Sequence, residues 1–223
     1  MRDVAHQISD AVYEKILGVP GAFWTRIAYA TANGLGRQSR YALMVADADG
    51  WNPRTVVNST EPLMSPSWSP DGRRLAYVSF EGGNSGVWIQ DIASGSREKV
   101  ASFRGINGAP NFSPDGNRLA LTLSKGGNPD IYLLSSSGEI LQKLVQGWSI
   151  NVSPSWSPDG RKLAYVSNET GTPQIYVLDV GSGQKRRITF SGNYNTSPAW
   201  SPKGDWIAYS GSVGGRHNIF IIK

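Results

Sequence analysis

The 223 residues include no cysteine, 26 glycines and eight tryptophans, and their formal net charge is +5. Without cysteine there are no disulfide bonds and no thiolate metal sites, and no run of about 18 apolar residues is present that would span a membrane. The basic residues are spread along the chain and no nucleic-acid-binding motif accompanies them, so we favour a solvated basic surface.

The first predicted element is a helix over about residues 3–17. Apolar residues at helical spacing lie near one face of it: Val4, Ile8, Ala11, Val12 and Ile16. Gly18 and Pro20 then end the helix. The segment lacks the basic and then apolar pattern of a signal peptide, and it is interpreted as the tail of a separate N-terminal domain or as a capping element.

A sequence motif that follows the helix, the repeated phrase, occurs four times. SPSWSPDGRRLAY at 65–77 returns at 109–121, 153–165 and 197–209, a constant step of 44 residues. A fixed period of this size is typical of a repeat architecture.

One repeat, residues 65–101, contains four short strand patterns separated by turns. The segments ending at Trp68, 74–79, 87–91 and 97–101 have strand composition, and the sequence at 69–72 has turn chemistry. Four antiparallel strands in about 44 residues form the unit of a β-propeller blade, so the predicted fold class is all-β. The equivalent aromatic residues are expected to pack between blades: Trp68, Phe112, Trp156 and Trp200.

Counting strands predicts about five blades and an incomplete ring. Three units have four strands, while the units at 26–57 and 197–222 have three. Because open sheet edges promote aggregation, we expect this chain to be part of a longer protein that continues at both ends.

The residues favour binding over catalysis. The two histidines, His6 and His217, are far apart in the sequence and no G-x-S-x-G motif is present. The aspartates of the repeated SPDG turns and of the DADG stretch are interpreted as turn residues, and the glycines at 34–36 and 82–83 fall in hairpin loops rather than in a P-loop. We therefore expect no enzyme activity, no metal and no cofactor.

The loops that lead into the innermost strands are the candidate partner-binding site, because a propeller gathers such loops around one channel mouth. Asparagine recurs in three of them, either as part of a hydrogen-bonding rim or as a cap of the turn. The candidate residues are Met64, Ser65, Asn107, Gly108, Ala109, Asn151, Val152, Ser153, Asn195, Thr196 and Ser197.

Several segments together carry a resemblance to a known family. ISDAVYEKILGVPGAFWTRIAYA at 8–30 is similar to the junction between the N-terminal domain and the propeller of the TolB family, the periplasmic component of the Tol–Pal envelope system. The likeness continues through 62–83, 100–134, 151–168 and 173–179, and so covers nearly the whole chain.

The resemblance implies a six-bladed propeller that follows an N-terminal α/β domain, of which residues 1–24 would be the remnant and residues 25–223 the propeller, truncated before closure. It also implies that the lipoprotein Pal docks at the mouth, where Asn107, Gly108 and Ala109 match the family's NGAP segment. TolA would contact an N-terminal segment that is absent from this sequence. The implied role is in outer-membrane integrity and constriction at cell division, with no nucleic acid and no membrane insertion.

Two rival interpretations stay open. Propellers of prolyl-oligopeptidase-like or tricorn-like peptidases carry similar SPDG repeats and gate a hydrolase. A sugar- or lactone-processing propeller is a weaker alternative, because it would need clustered metal-binding acids in the channel.

Overall fold

A computed structural model describes residues 1–34 and 36–223 and consists of one helix and five antiparallel sheets. Leu35, in the first predicted glycine loop, lies outside the described residues. The helix α1 spans Arg2–Leu17 and ends at Gly18, whose φ of 68° is easily adopted only by glycine. The helix bounds agree with the sequence prediction to one residue.

The sheets follow one another along the chain as blades of a β-propeller, which confirms the predicted fold class. Blade one comprises β1 (Arg26–Asn33), β2 (Arg40–Asp47) and β3 (Arg54–Ser59), with a 3-10 helix at Gly36–Gln38. Blade two comprises β4 (Leu63–Trp68), β5 (Arg74–Ser79), β6 (Gly86–Asp91) and β7 (Arg97–Ala101). Blade three comprises β8 (Asn107–Phe112), β9 (Arg118–Leu123), β10 (Asp130–Ser135) and β11 (Ile140–Val145).

Blade four comprises β12 (Asn151–Trp156), β13 (Lys162–Ser167), β14 (Gln174–Asp179) and β15 (Lys185–Arg187), and blade five comprises β16 (Tyr194–Trp200), β17 (Ile207–Val213) and β18 (Arg216–Ile222). β15 is shorter than the other outer strands. The Ile175 N–H donates to the Thr189 hydroxyl at 2.9 Å, so a side chain replaces a backbone partner where the strand would otherwise continue.

The chain divides into two compact units, Met1–Leu63 and Met64–Lys223. In the first unit, the Asp10 carboxylate accepts hydrogen bonds from the backbone N–H groups of Phe23 and Trp24, at 2.8 and 2.9 Å. Arg2 pairs with Asp49. These contacts join α1 to the segment before β1 and to the turn between β2 and β3. The expected domain division at residue 24 stays a prediction.

In blades two, three and four, the SPDG turn closes the inner hairpin in the same way. In blade three the Ser113 hydroxyl donates to the Asp115 carboxylate and accepts from the Arg118 N–H at 3.1 Å. The hydrogen bond from Ser113, followed by one from the Asn117 N–H, lowers the pKa of Asp115 below its ordinary value of 3.8. The aspartate therefore has a complete structural role in its turn.

Three of the four aromatic residues predicted to pack between blades do so: Phe112, Trp156 and Trp200. Phe112 of blade three belongs to a buried cluster with Ala76 and Val78 of blade two, and Trp156 of blade four packs with Leu133 of blade three. The guanidinium groups of Arg74 and Arg118 lie over the Phe112 and Trp156 rings, 5.4 and 5.7 Å from their centroids. Such contacts combine apolar burial with a cation–π attraction across each interface.

Candidate functional site

The candidate site lies at one end of blades two to five, where the innermost strands begin. Antiparallel order places the loops before each innermost strand at the same end as the loops between the second and third strands of a blade. Hydrogen bonds join the two sets: the Asn151 N–H donates to the Pro129 carbonyl at 2.8 Å and the Asn195 N–H to the Pro173 carbonyl at 2.9 Å. We name this end of the second unit the mouth face; its loops are 80–85, 102–106, 124–129, 146–150, 168–173, 188–193 and 214–215.

The three candidate asparagines lie beneath this face and not on it. Asn107, Asn151 and Asn195 are at most 2 % exposed. The Asn107 amide donates to the carbonyls of Ser85 and Phe103, at 3.0 and 2.7 Å. The Asn107 side chain therefore holds its loop against the preceding blade. Of the two interpretations of the asparagines, this agrees with the cap of a turn and not with a hydrogen-bonding rim.

The other two asparagines make equivalent contacts with the preceding blade. The Asn151 amide donates to the Asp130 carboxylate at 3.1 Å, and the Asn195 amide donates to the Gln174 side-chain oxygen at 2.9 Å. Asp130 is buried and also accepts from the Lys143 ammonium at 2.8 Å. This hydrogen bond raises the pKa of Lys143.

A second set of candidate residues adopts a rare backbone conformation. Non-glycine residues with positive φ occur at four equivalent positions, each directly before a proline: Ser65 (50°), Ala109 (47°), Ser153 (55°) and Ser197 (54°). The strand pairing of blades three, four and five shifts register at these positions. The innermost strands of blades three, four and five therefore each carry a bulge at the alanine–proline or serine–proline pair.

These pairs line a common cavity. A cavity of about 290 Å³ is bounded by residues of all four innermost strands of the second unit: Ser65, Pro66, Ser67, Ala109, Pro110, Asn111, Ser153, Pro154, Ser197 and Pro198. Four of these lining residues were sequence candidates: Ser65, Ala109, Ser153 and Ser197. The remaining candidates, Met64, Gly108, Val152 and Thr196, are half-buried or exposed nearby.

The mouth face also exposes large apolar side chains, most of which the sequence prediction missed. Trp148 is 99 % exposed and Phe190 is 76 % exposed. About half of the surface of each of four others is exposed: Met64, Ile106, Ile150 and Tyr194. The sequence did contain a signal for these exposed residues, because apolar residues occur there within polar loops and outside the alternating pattern of a strand.

The charges of this face are predominantly positive. Glu81 and Glu169 are neutralised by Arg97 and Lys185, at 3.0 and 2.6 Å. Within the described part of the chain, Arg104 is exposed without an acidic partner and the Lys125 ammonium lies only over the Phe103 ring, at 4.7 Å. The face therefore favours a partner with acidic groups.

Candidate catalytic and metal groups do not come together among the described residues. His6 lies 3.8 Å from Asp49 in the first unit, and His217 meets the edge of the Tyr194 ring in the second. No group of three or more histidine, aspartate or glutamate side chains in residues 1–34 and 36–223 is arranged to hold a metal ion. In the same residues, no helix has both the length and the apolar content of a membrane span.

Comparison with known proteins shows which family the sequence matches. Residues 13–223 match the sequence profile described as the TolB beta propeller domain. The Tol-Pal system protein TolB of Xanthomonas campestris pv. campestris is 72 % identical over 109 residues, which are 49 % of this chain and 25 % of that protein. The chain thus aligns with about a quarter of the length of this curated relative.

Solved structures extend the likeness over the whole fold. TolB from Acinetobacter baumannii superposes with a TM-score of 0.90 at 38 % identity, covering 99 % of this chain and 55 % of that one. A puromycin-hydrolyzing peptidase of Mycobacterium tuberculosis superposes with a TM-score of 0.66 at 16 % identity, covering 87 % and 36 % of the two chains. At that identity the peptidase shows the shared fold alone.

Proposed function

The chain belongs to the TolB β-propeller family, and on that premise we propose that it is a protein-binding scaffold of the Tol–Pal envelope system that docks its partner on the mouth face. The curated relatives carry the name of that system. The proposed role is binding without catalysis, in the periplasm, in support of outer-membrane integrity and constriction at cell division.

One observation carries this proposal: large apolar side chains are exposed together on a single face. Trp148, Phe190 and Tyr194 are aromatic, and tryptophan and tyrosine are the residue types that dominate binding energy in protein interfaces. Trp148 and Phe190 lie on loops held by the buried Asn151 and Asn195, and Tyr194 is the first residue of β16, so the surface is ordered before a partner arrives. A preorganised surface loses less conformational entropy on binding.

The partner that we propose for this face is the peptidoglycan-associated lipoprotein Pal. The candidate residues Asn107, Gly108 and Ala109 would then act in two ways. Asn107 would position the loop from below, while Gly108 and Ala109 would lie at the contact. TolA is proposed as a partner of the whole protein, and no residue of this chain is assigned to it.

The test measures the affinity of the chain for a peptidoglycan-associated lipoprotein produced without its lipid anchor. We expect the unmodified chain to bind, and Trp148→Glu and Phe190→Glu each to raise the Kd at least about tenfold, the effect of losing one interface anchor. Isothermal titration calorimetry gives the Kd, and circular dichroism checks that each variant is folded.

The matched control is Leu141→Glu, because Leu141 is also half-exposed but lies on the outer strand β11. It should bind as the unmodified chain does. Absence of binding by the unmodified chain, or equal losses in all three variants, would overturn the proposal.

A further inference from the structure

A small cavity lies between blades four and five, at the end of the second unit opposite the mouth face. Its volume is about 180 Å³, several times the roughly 30 Å³ that one water molecule takes up in the liquid. It is lined by residues 157–159 in the turn between β12 and β13, by Lys203 and Gly204 in the turn between β16 and β17, and by Lys162 and Trp200. Two of these seven lining residues are cations.

Lys162 is the first of two departures from the repeat at this cavity. At steps of 44 residues it corresponds to Arg74 and Arg118, whose guanidinium groups lie over the aromatic ring of the next blade. Arg74 also donates to the Gly116 carbonyl in the turn of that blade, at 3.0 Å. Lysine lacks the planar group that covers a ring and reaches a turn at once, so the space beside the Trp200 ring stays open.

Lys203 is the second departure. It occupies the position of the aspartate in the SPDG turns of blades two, three and four, where the carboxylate accepts from the serine hydroxyl two residues earlier. In blade five the Ser201 hydroxyl donates to Asp205 instead, at 2.8 Å. The turn is therefore closed without Lys203, and a position that is negative in three blades is positive in this one.

The backbone that carries the two lysines is held in place. The Ser157 hydroxyl accepts from the Lys162 N–H at 2.9 Å and donates to the Lys162 carbonyl at 3.0 Å. A Cβ atom at Gly204, directly after Lys203, would lie 3.4 Å from Pro158, so the turns of the two blades are in contact. A ligand in the cavity would thus order two side chains and no loop, which keeps the entropic cost of binding low.

The acids near the cavity are held by donors of their own turns. The Asp159 carboxylate accepts from the Ser157 hydroxyl at 2.6 Å and from the Arg161 N–H at 3.1 Å, and these two bonds lower the pKa of Asp159 below 3.8. Asp205 is bonded within blade five. Within residues 1–34 and 36–223, neither lysine of the cavity has a carboxylate oxygen within 4.0 Å of its ammonium group.

We propose that this cavity binds a phosphate group, whose oxygens Lys162 and Lys203 contact from the two blades. Lysine binds phosphate as a point charge and does not require the planar partner that suits arginine. Two ammonium groups also match a phosphate monoester, which carries about −1.5 to −2 charges at pH 7, better than a carboxylate with one. The proposal is independent of the proposed function, because it concerns the opposite end of the blades.

The first experiment titrates the complete 223-residue chain with inorganic phosphate, glucose 6-phosphate and acetate at constant ionic strength, which keeps screening equal. The backbone N–H signals of Lys203 and Gly204 in NMR spectra report binding. We expect both phosphates to bind at least about tenfold more tightly than acetate. Unshifted signals with both phosphates, or equal affinity for acetate, would overturn the proposal.

The second experiment uses variants of the chain, with circular dichroism as a check of folding. Lys203→Asp installs the residue of the equivalent turns and should weaken glucose 6-phosphate at least about tenfold, because attraction becomes repulsion. Lys162→Gln should weaken it at least about fivefold. The control Lys99→Asp changes the net charge as much as Lys203→Asp but lies on the outer strand β7 of blade two, and it should leave the affinity unchanged. Equal losses in the control and in Lys203→Asp, or none in either cavity variant, would contradict the proposal.

The third experiment identifies the source of the phosphate group, because soluble esters and phospholipid headgroups both present one. Vesicles of phosphatidylcholine, with and without phosphatidate, are sedimented with the chain. Retention on phosphatidate vesicles that Lys203→Asp abolishes would support the proposal with a headgroup as the ligand, and binding of glucose 6-phosphate alone would support it with a soluble ester. Vesicle retention that Lys203→Asp leaves unchanged, without binding of the soluble phosphates, would show that the cavity is not the site.

Discussion

Asn107, Asn151 and Asn195 show how one residue type satisfies buried backbone groups at the equivalent position of three blades. The loop before every innermost strand carries backbone groups that become buried when blades pack. Asn107 supplies both donor and acceptor, since its amide oxygen also accepts from the Phe103 N–H at 2.8 Å. Buried polar groups without partners are costly, so the asparagine stabilises the loop that presents the mouth-face residues.

Replacing Asn107 by alanine should lower the free energy of unfolding by about 3 kcal/mol, because several buried backbone groups lose their partner. Chemical denaturation measures the change. Asn117→Ala is the control, since Asn117 is exposed on the opposite end of blade three, and its effect should stay within about 0.5 kcal/mol. Similar small effects in both variants would contradict the role of Asn107 between blades.

At the scale of the element, the innermost strands of blades three, four and five contain a bulge that a standard strand pattern does not reveal. Residues before proline normally prefer extended backbone, yet Ala109 and its equivalents have positive φ. Such strain persists only where surrounding contacts maintain it. The rest of each hairpin is regular: all six residues of β9 pair in sequence with β10.

Ala109→Gly should raise the free energy of unfolding by about 1 kcal/mol, because glycine adopts this conformation without the steric cost paid by an L-residue. Ala109→Val should lower it by more than about 1 kcal/mol, since a β-branched side chain at positive φ is especially unfavourable. Thermal and chemical denaturation measure both changes. A destabilising glycine together with a neutral valine would show that the bulge is not strained.

Individual strands and residues show how much of the structure could be predicted from the sequence. Strands 74–79 and 97–101 were predicted to the residue, because β-forming composition and SPDG turns are local signals. The sequence predicts strands at 26–30 and 218–222, which are too short. β1 runs on to Asn33 and β18 starts at Arg216, since pairing within the hairpin extends them beyond their apolar centres. A cleft beside Phe80 was not predicted, because its walls combine residues that are distant in the sequence, such as Met64, Phe80 and Ile106.

At the scale of the molecule, the blades of the second unit differ in how much of their apolar surface is packed against neighbouring blades. Blade three packs against blade two through one buried cluster and against blade four through another. In blade five, the outer strand β18 leaves Ile219 and Ile221 76 and 66 % exposed. Apolar contacts on both faces stabilise a strand more than contacts on one.

Amide hydrogen exchange should therefore be slowest in β9, β10 and β13 and markedly faster in β18. The expected difference is at least about tenfold, because opening a strand covered on one face disrupts fewer buried contacts. Exchange followed by mass spectrometry resolves these strands. Uniform protection from β5 to β18 would mean that the second unit opens only as a whole.

The sequence by itself determined the repeat length, the antiparallel blades and the aromatic packing between them, because these follow from periodic local signals and from turn chemistry. The tertiary structure alone decided that the asparagines face inward, that Trp148 and Phe190 are exposed, and that a cleft opens beside Phe80. Burial of a loop residue depends on what the preceding blade places against it. That neighbour is set by packing between repeats and not by the residue's own surroundings in the chain.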